Sequence, residues 1–282
     1  MGYLHIENLY KNTEILLFKE CYAMEKIHGT SAHVRFKEGK VEFFSGGSKH
    51  DNFVKLFDIP SLEAKFNELF DSDVVVYGEA YGGKCQGMSE TYGKELKFIV
   101  FDVKVDKNWL DVPNAQDVAT KLGLDFVSYL KIPATIEALN ECRDLASVQA
   151  VRNGCEEAKL REGIVIRPLI EVCKNNGNRI IVKHKGEKFS ETNTVREVDP
   201  EKLKVLEDAK AIAEEWVTPM RLTHVLDKLG NPTEIEGTRE VIKAMLEDVM
   251  REAKGEIIES QPAKQAISKK AALLYKSRIS RI

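Results

Sequence analysis

The chain has 282 residues, a formal net charge of −3, 43% apolar residues and 31% charged ones. This is enough sequence to bury the core of one large or two ordinary domains, and the composition excludes a disordered chain. The small net charge excludes a polyanion binder built on overall charge, so any nucleic-acid surface must come from local segregation of basic residues.

The five cysteines (Cys21, Cys85, Cys142, Cys155 and Cys173) are odd in number and show no Cys-x-x-Cys spacing, which argues against a disulfide framework and against a zinc site. There is no signal-like leader, and no apolar run reaches the length of a membrane span. The expectation is a cytoplasmic protein in a reducing environment, away from membranes.

Taken in chain order, short β-rich runs are predicted at 21–27, 32–37, 41–45, 73–79, 97–105, 163–167 and 179–184. Glu38-Gly39 reads as the turn of a hairpin between the second and third runs. Helices are predicted at 61–70, 115–122 and 135–152. The periodicity changes near Val195. Beyond Pro200 the apolar residues Leu222, Val225, Leu226 and Leu229 recur at helical spacing and stop at Gly230. Ile242, Met245, Leu246, Val249 and Met250 do the same and stop at Gly255. The reading is therefore an α+β domain over 1–195 and an all-helical domain over 196–282. The last stretch, 261–282, carries six basic residues (Lys264, Lys269, Lys270, Lys276, Arg278 and Arg281) and no acidic ones. It reads equally as a phosphate-facing tail or as a solvated helix face.

Chemistry-bearing residues sit at the ends of the strand runs. The first run leads into Glu25-Lys26-Ile27-His28-Gly29-Thr30-Ser31. Gly78-Glu79 follows a valine-rich strand, and Phe101-Asp102 lies in the strand Lys97-Phe98-Ile99-Val100. Glu162-Gly163-Ile164-Val165-Ile166 and Ile181-Val182-Lys183-His184-Lys185 come after it. Lys183 and Lys185 are two apart, so in a strand their side chains share one face, and Glu25 points away from Lys26. Each residue also has an ordinary reading: Lys26 as a surface lysine beside a turn, Phe101 as core packing, and the carboxylates as solvated charges.

In this order the segments resemble five of the six collinear motifs of covalent nucleotidyltransferases. The histidine after the lysine is similar to the ATP-dependent RNA ligases of the RNA ligase 2 type, which include phage double-strand RNA ligases and kinetoplastid RNA-editing ligases. The resemblance spans about 3–190. It implies a nucleotidyltransferase (ATP-grasp-like) domain of antiparallel sheets with flanking helices. It also implies ATP, Mg2+ or Mn2+, and RNA with 5′-phosphate and 3′-hydroxyl ends as the other substrate, with no obligate protein partner.

By that resemblance Lys26 forms a lysyl-AMP intermediate, and Lys183 and Lys185 stabilise the charge that builds on the α-phosphate. Glu162 orders metal-bound water, and Glu79 accepts from the ribose hydroxyl and shares the metal through water. Phe101 stacks on adenine in preference to Phe98, and Glu25 reads the exocyclic amine. Ile27, His28 and Gly29 complete the loop around the nucleotide, with Gly29 allowing a backbone approach that a side chain would obstruct. A nucleophilic lysine must first shed its proton, because an ammonium has no lone pair. Like charges, a divalent cation and partial desolvation all push that way.

Two positions depart from the family pattern. Ser31 stands where an asparagine is usual, and the arginine of the second motif is missing from Val41-Glu42-Phe43-Phe44-Ser45-Gly46-Gly47-Ser48-Lys49. Lys49 is the nearest substitute, and Ser45 to Ser48 offer backbone amides to a phosphate. The alternatives are a capping guanylyltransferase or DNA ligase, which ordinarily add an OB-fold, and a noncatalytic RNA-binding protein on a decayed ligase frame.

Overall fold

The computed structural model describes residues 2–155, 157–174, 176–189 and 197–280. Among them the backbone divides into two units, each described in turn.

The strands of the first unit are β1 (Glu7–Asn8), β2 (Glu20–Lys26), β3 (Thr30–Lys37), β4 (Lys40–Ser45), β5 (Val74–Gly82), β6 (Leu96–Val105), β7 (Asn108–Trp109), β8 (Tyr129–Pro133), β9 (Gly163–Pro168) and β10 (Val182–Lys185). Its helices are α1 (His50–Val54), α2 (Ile59–Leu69), α3 (Ser89–Tyr92), α4 (Val112–Leu122), α5 (Ile136–Arg143) and α6 (Val148–Arg152). The strands form two sheets, ordered β1-β10-β9-β2-β8 and β4-β3-β5-β6-β7. Pairing is antiparallel except between β1 and β10. The fold is mixed α+β with antiparallel sheets, as the sequence predicts.

Sequence alternation explains the core. Val34, Phe36, Val74, Val76, Ile99 and Val103 of the second sheet pack with Leu62 and Phe66 of α2 and with Val112, Ala115, Ala119 and Leu122 of α4. The rings of Phe36 and Phe66 stack with centroids 5.0 Å apart. Met24 and Ile27 join the same cluster, so the segment that carries Lys26 is anchored in the main core. Both helices start earlier than predicted. Asp58 and Asp111 accept from the backbone N–H of Ser61 and Asn114, and Pro60 and Pro113 are pre-set for the first turn.

The single helix predicted at 135–152 is two helices. Ser147 has extended backbone, its N–H donates to the Lys159 carbonyl at 2.7 Å, and its hydroxyl caps α6. Ala146 bridges Leu160 beside it, so cross-chain pairing wins over local helix propensity there. Strand β8 is absent from the sequence reading. It lies at a sheet edge with a mostly exposed face, where alternation is weak.

The second unit holds α7 (Pro200–Trp216), α8 (Pro219–Lys228), α9 (Thr238–Glu252) and α10 (Gln261–Ile279), with Leu17 and the stretch around Val172. Ala209, Ala213, Leu222, Val225, Leu226, Val241, Met245, Val249, Ile267, Ala271 and Tyr275 fill its core. Asp248 gathers Arg221, Lys228 and Arg251 at 2.7, 3.0 and 2.6 Å. The basic stretch at the end is built into this core. Lys269 is buried and Lys270 pairs with Glu214 at 2.8 Å, while Arg281 lies outside the described residues. The expected domain boundary between 195 and 196 also lies outside them. No helix among the described residues is long and apolar enough to cross a membrane.

Phe66 is fully buried. Replacing it with alanine should lower stability by about 3–5 kcal/mol through lost transfer energy and the cavity left behind. Denaturant unfolding checks this, and a loss below about 1 kcal/mol would mean that the core closes over the gap.

Candidate active site

A cavity of about 400 Å³ opens within the first unit. One wall is the first sheet, with Met24, Lys26, Val165, Arg167 and Lys183, and the other carries Ser31, Glu79 and Phe101. Residues Tyr3 to Ile6 close it.

The register explains how the charged groups meet. Lys26 of β2 and Lys185 of β10 both pair with Gly163, which lies on the strand between them. The two lysines therefore flank a position without a side chain, and the preceding Glu162 reaches both. Its Oε2 accepts from Lys26 Nζ at 2.9 Å and lies 3.2 Å from His28 Nδ1, while Oε1 is 3.1 Å from Lys185 Nζ. The Glu162 side chain is only 2% exposed. Burial alone would raise its pKa, but Lys26, Lys185 and His28 outweigh that and hold it below the ordinary value, so it is a carboxylate here. Gly163 is obligatory. Its φ is +151°, and an added Cβ would strike the His184 carbonyl.

Lys183 pairs with Val165 one row further along and lines the cavity. Gly29 permits a close approach. A Cβ there would collide with the Ala80 carbonyl and lie 2.9 Å from Glu79 Cγ, and its own N–H donates to Glu79 Oε1 at 3.2 Å. Ile27 is buried in the core beside the cavity. The His28 ring rests against Phe189 at 5.6 Å.

Phe101 reaches the cavity through an irregularity. The β5–β6 ladder steps from Tyr77↔Asp102 to Gly78↔Val100, leaving Phe101 as an extra residue on β6. Such a bulge re-aims a side chain. Phe98 instead packs with Phe53 and Phe57.

Three sequence expectations are extended or corrected by the structure. Glu25 does project from the face opposite Lys26, but its carboxylate accepts from Ser147 Oγ at 2.5 Å and from the N–H groups of Val148 and Gln149 at 3.0 and 3.3 Å. It thus caps α6, so this residue of the cavity wall has a structural role. Lys49 is exposed at the start of α1 and is not among the residues lining the cavity. The glycines of Ser45–Ser48 serve close packing. Gly46 N–H already donates to the Ser31 carbonyl at 2.9 Å, and a Cβ on Gly47 would lie 2.8 Å from Thr30 Oγ1.

The sequence reading missed a buried network behind Phe101. Arg167 donates to Asp102 at 2.9 Å and to Glu171 at 2.7 Å. Arg179 binds the same two carboxylates, donates to the Tyr3 hydroxyl at 3.0 Å, and lies over the Trp109 ring at 4.1 Å. Tyr3 in turn donates to Asp102 at 2.6 Å and meets Phe101 edge-on at 4.8 Å. An aspartate inside an apolar strand was the available signal, because a buried carboxylate requires a cationic partner.

Glu79 is pushed up to about 7, first by burial and then by Glu162, against the lowering effects of Lys26 and the Gly29 N–H. A carboxyl raised in the folded state contributes stability that is complete below the ordinary value of about 4.5 and is lost as pH climbs through about 7. Between about pH 5.5 and 8.5 the native protein should therefore lose on the order of 2 kcal/mol relative to Glu79→Gln. Parallel pH trends in denaturant midpoints would contradict this.

The family model described as RNA ligase matches residues 19–185, more than half of the chain. Among solved structures, a Naegleria gruberi RNA ligase mutant with ATP and Mn matches with a TM-score of 0.52 and 17% identity, over 67% of this chain and 57% of that one. A mutant of the same enzyme with AMP and Mn gives the same figures. The enzyme with PPi gives a TM-score of 0.51 and 18% identity over the same shares. The chain thus spans 57% of the length of these structures, and at this identity the likeness speaks for the fold. No curated protein matches the chain. The matched span runs from the strand of Lys26 to Lys185, the two lysines that share Glu162, and the chain belongs to the RNA ligase family.

Proposed function

We propose that this protein is an ATP-dependent RNA ligase that joins RNA 5′-phosphate and 3′-hydroxyl ends through a lysyl-AMP intermediate. The observation that carries the reading is the convergence of Lys26, Lys185 and His28 on the buried Glu162 carboxylate, beside a nucleotide-sized cavity lined by Lys183 and Phe101. Family membership supports RNA as the substrate. The Naegleria gruberi structures with ATP, AMP and Mn support the nucleotide and a divalent cation.

Lys26 Nζ, once deprotonated, attacks the α-phosphorus of ATP. A nitrogen–phosphorus bond forms as the bond to pyrophosphate breaks. An RNA 5′-phosphate oxygen then displaces the lysine, and a 3′-hydroxyl displaces AMP. Lys183 and Lys185 stabilise the charge on the α-phosphate, and Phe101 offers its face to the purine.

Among the described residues no three His, Cys, Asp or Glu side chains are grouped to hold a metal ion. That donor set fits Mg2+ or Mn2+ bound chiefly by phosphate and water, which needs only one or two carboxylates, here Glu79 and Glu162. When bound, such a cation offsets phosphate charge and favours departure of pyrophosphate. The second unit is helical in its described residues, which favours the RNA ligase reading over a capping enzyme or DNA ligase carrying an OB-fold.

Incubation with labelled ATP should give a covalent adduct, alkali-stable and acid-labile as a phosphoramidate is, that Lys26→Ala abolishes. An unchanged adduct in that variant would reject the nucleophile. Lys183→Ala should slow adduct formation by about 10²-fold or more, as loss of a transition-state cation does. Phe101→Ala should raise the KM for ATP about tenfold, within the 1–3 kcal/mol range of base stacking. Equal KM values would remove the stacking role.

A further inference from the structure

Arg161, immediately before Glu162, is buried at 4% exposure, and among the described residues no carboxylate is bonded to it. Its Nη2 donates to the Ala146 carbonyl at 2.9 Å, its Nη1 lies 3.9 Å from Cys142 Sγ, and its Nε has no hydrogen-bond partner among the described residues. The other buried arginines, Arg167 and Arg179, each hold two carboxylates. A buried charge is unfavourable unless an opposite charge meets it, and the neutral thiol and carbonyl do not supply one. Neighbouring carboxylates are engaged elsewhere, Glu162 by Lys26, Lys185 and His28, and Glu25 by the start of α6.

Beside Arg161 lies a second cavity of about 310 Å³, lined also by Arg143, Asp144, Gly186, Glu187, Lys188 and Phe189. Arg143 is balanced there by Asp144 through two 2.7 Å bonds, and Glu187 and Lys188 are exposed. Among the described residues, the charge left without a carboxylate is therefore that of Arg161. The cavity adjoins the lysine loop: Gly186 N–H donates to the Glu162 carbonyl at 2.9 Å, and the Phe189 ring meets His28.

We infer that this cavity binds a phosphate group of the RNA strand, with Arg161 as its buried cation and Lys188 as its surface cation. The identity of the carrier rests on the RNA ligase reading. The phosphate itself is called for by the unmatched guanidinium.

The test compares 5′-phosphorylated and 5′-hydroxyl oligoribonucleotides of one sequence by fluorescence anisotropy at fixed salt. The proteins are the native chain, Lys188→Ala, Arg161→Gln and the distant surface control Lys107→Ala. Both site variants should lose about tenfold in affinity, and the control should not. A loss confined to the phosphorylated strand assigns the site to the 5′ end, and an equal loss on both strands assigns it to an internal phosphodiester. Should Arg161→Gln fail to fold, the exposed Lys188 still decides. Affinity unchanged in Lys188→Ala, or the same loss in Lys107→Ala, or no measurable binding by the native chain, overturns the inference. Adduct formation from ATP is read in parallel. A native chain that forms no adduct yet shows the predicted losses would sink the ligase reading and leave the phosphate site standing.

Discussion

One buried carboxylate organises the first unit's chemistry. Glu162 lies between Lys26 and Lys185 because both pair across the sheet with Gly163, and the absence of a side chain at Gly163 leaves room for them to converge. Three potentially cationic groups share one negative charge. The arrangement gathers basic groups at the cavity edge, which suits polyphosphate, and it keeps the lysines from solvating separately. Removing that carboxylate would leave partly buried like charges facing one another, so the same residue has structural and electrostatic consequences that are hard to separate.

The strand bearing Lys26 is held from both faces. On one side Met24 packs in the main core, and on the other Glu25 is fixed by the start of α6. A side chain placed at the last residue of such a strand is preorganised, with little freedom left to lose when a ligand arrives. The opposite wall is built by similar logic. Asp102 is gripped by two arginines and Tyr3, and its neighbour Phe101 is turned toward the cavity by the extra residue in the ladder.

Much of this was legible in the chain. The two-residue spacing of Lys183 and Lys185, the alternation that sends Glu25 away from Lys26, and the helical spacing beyond Pro200 are local properties, and local periodicity survives into the structure. What could not be read depends on pairing between distant segments. The break at Asp144–Ser147 exists because Lys159 and Leu160 pair there. The convergence of Arg167 and Arg179 on Asp102 joins residues 65 and 77 positions apart. Lys49 is close in sequence to the position of the missing arginine, but sequence distance says little about which side of a loop a residue occupies.

The departure at Ser31 gains meaning from the same register. Ser31 pairs with Glu79 across β3 and β5, lines the cavity, and has a buried hydroxyl without a hydrogen-bond partner among the described residues. Buried hydroxyls are ordinarily satisfied, and an exception at the wall of a cavity fits a group whose partner arrives with the ligand. Its carbonyl is already committed to Gly46, so the backbone here is fixed and only the side chain is available. A shorter side chain than asparagine, held rigidly opposite a carboxyl that titrates near neutrality, reaches less far into the cavity.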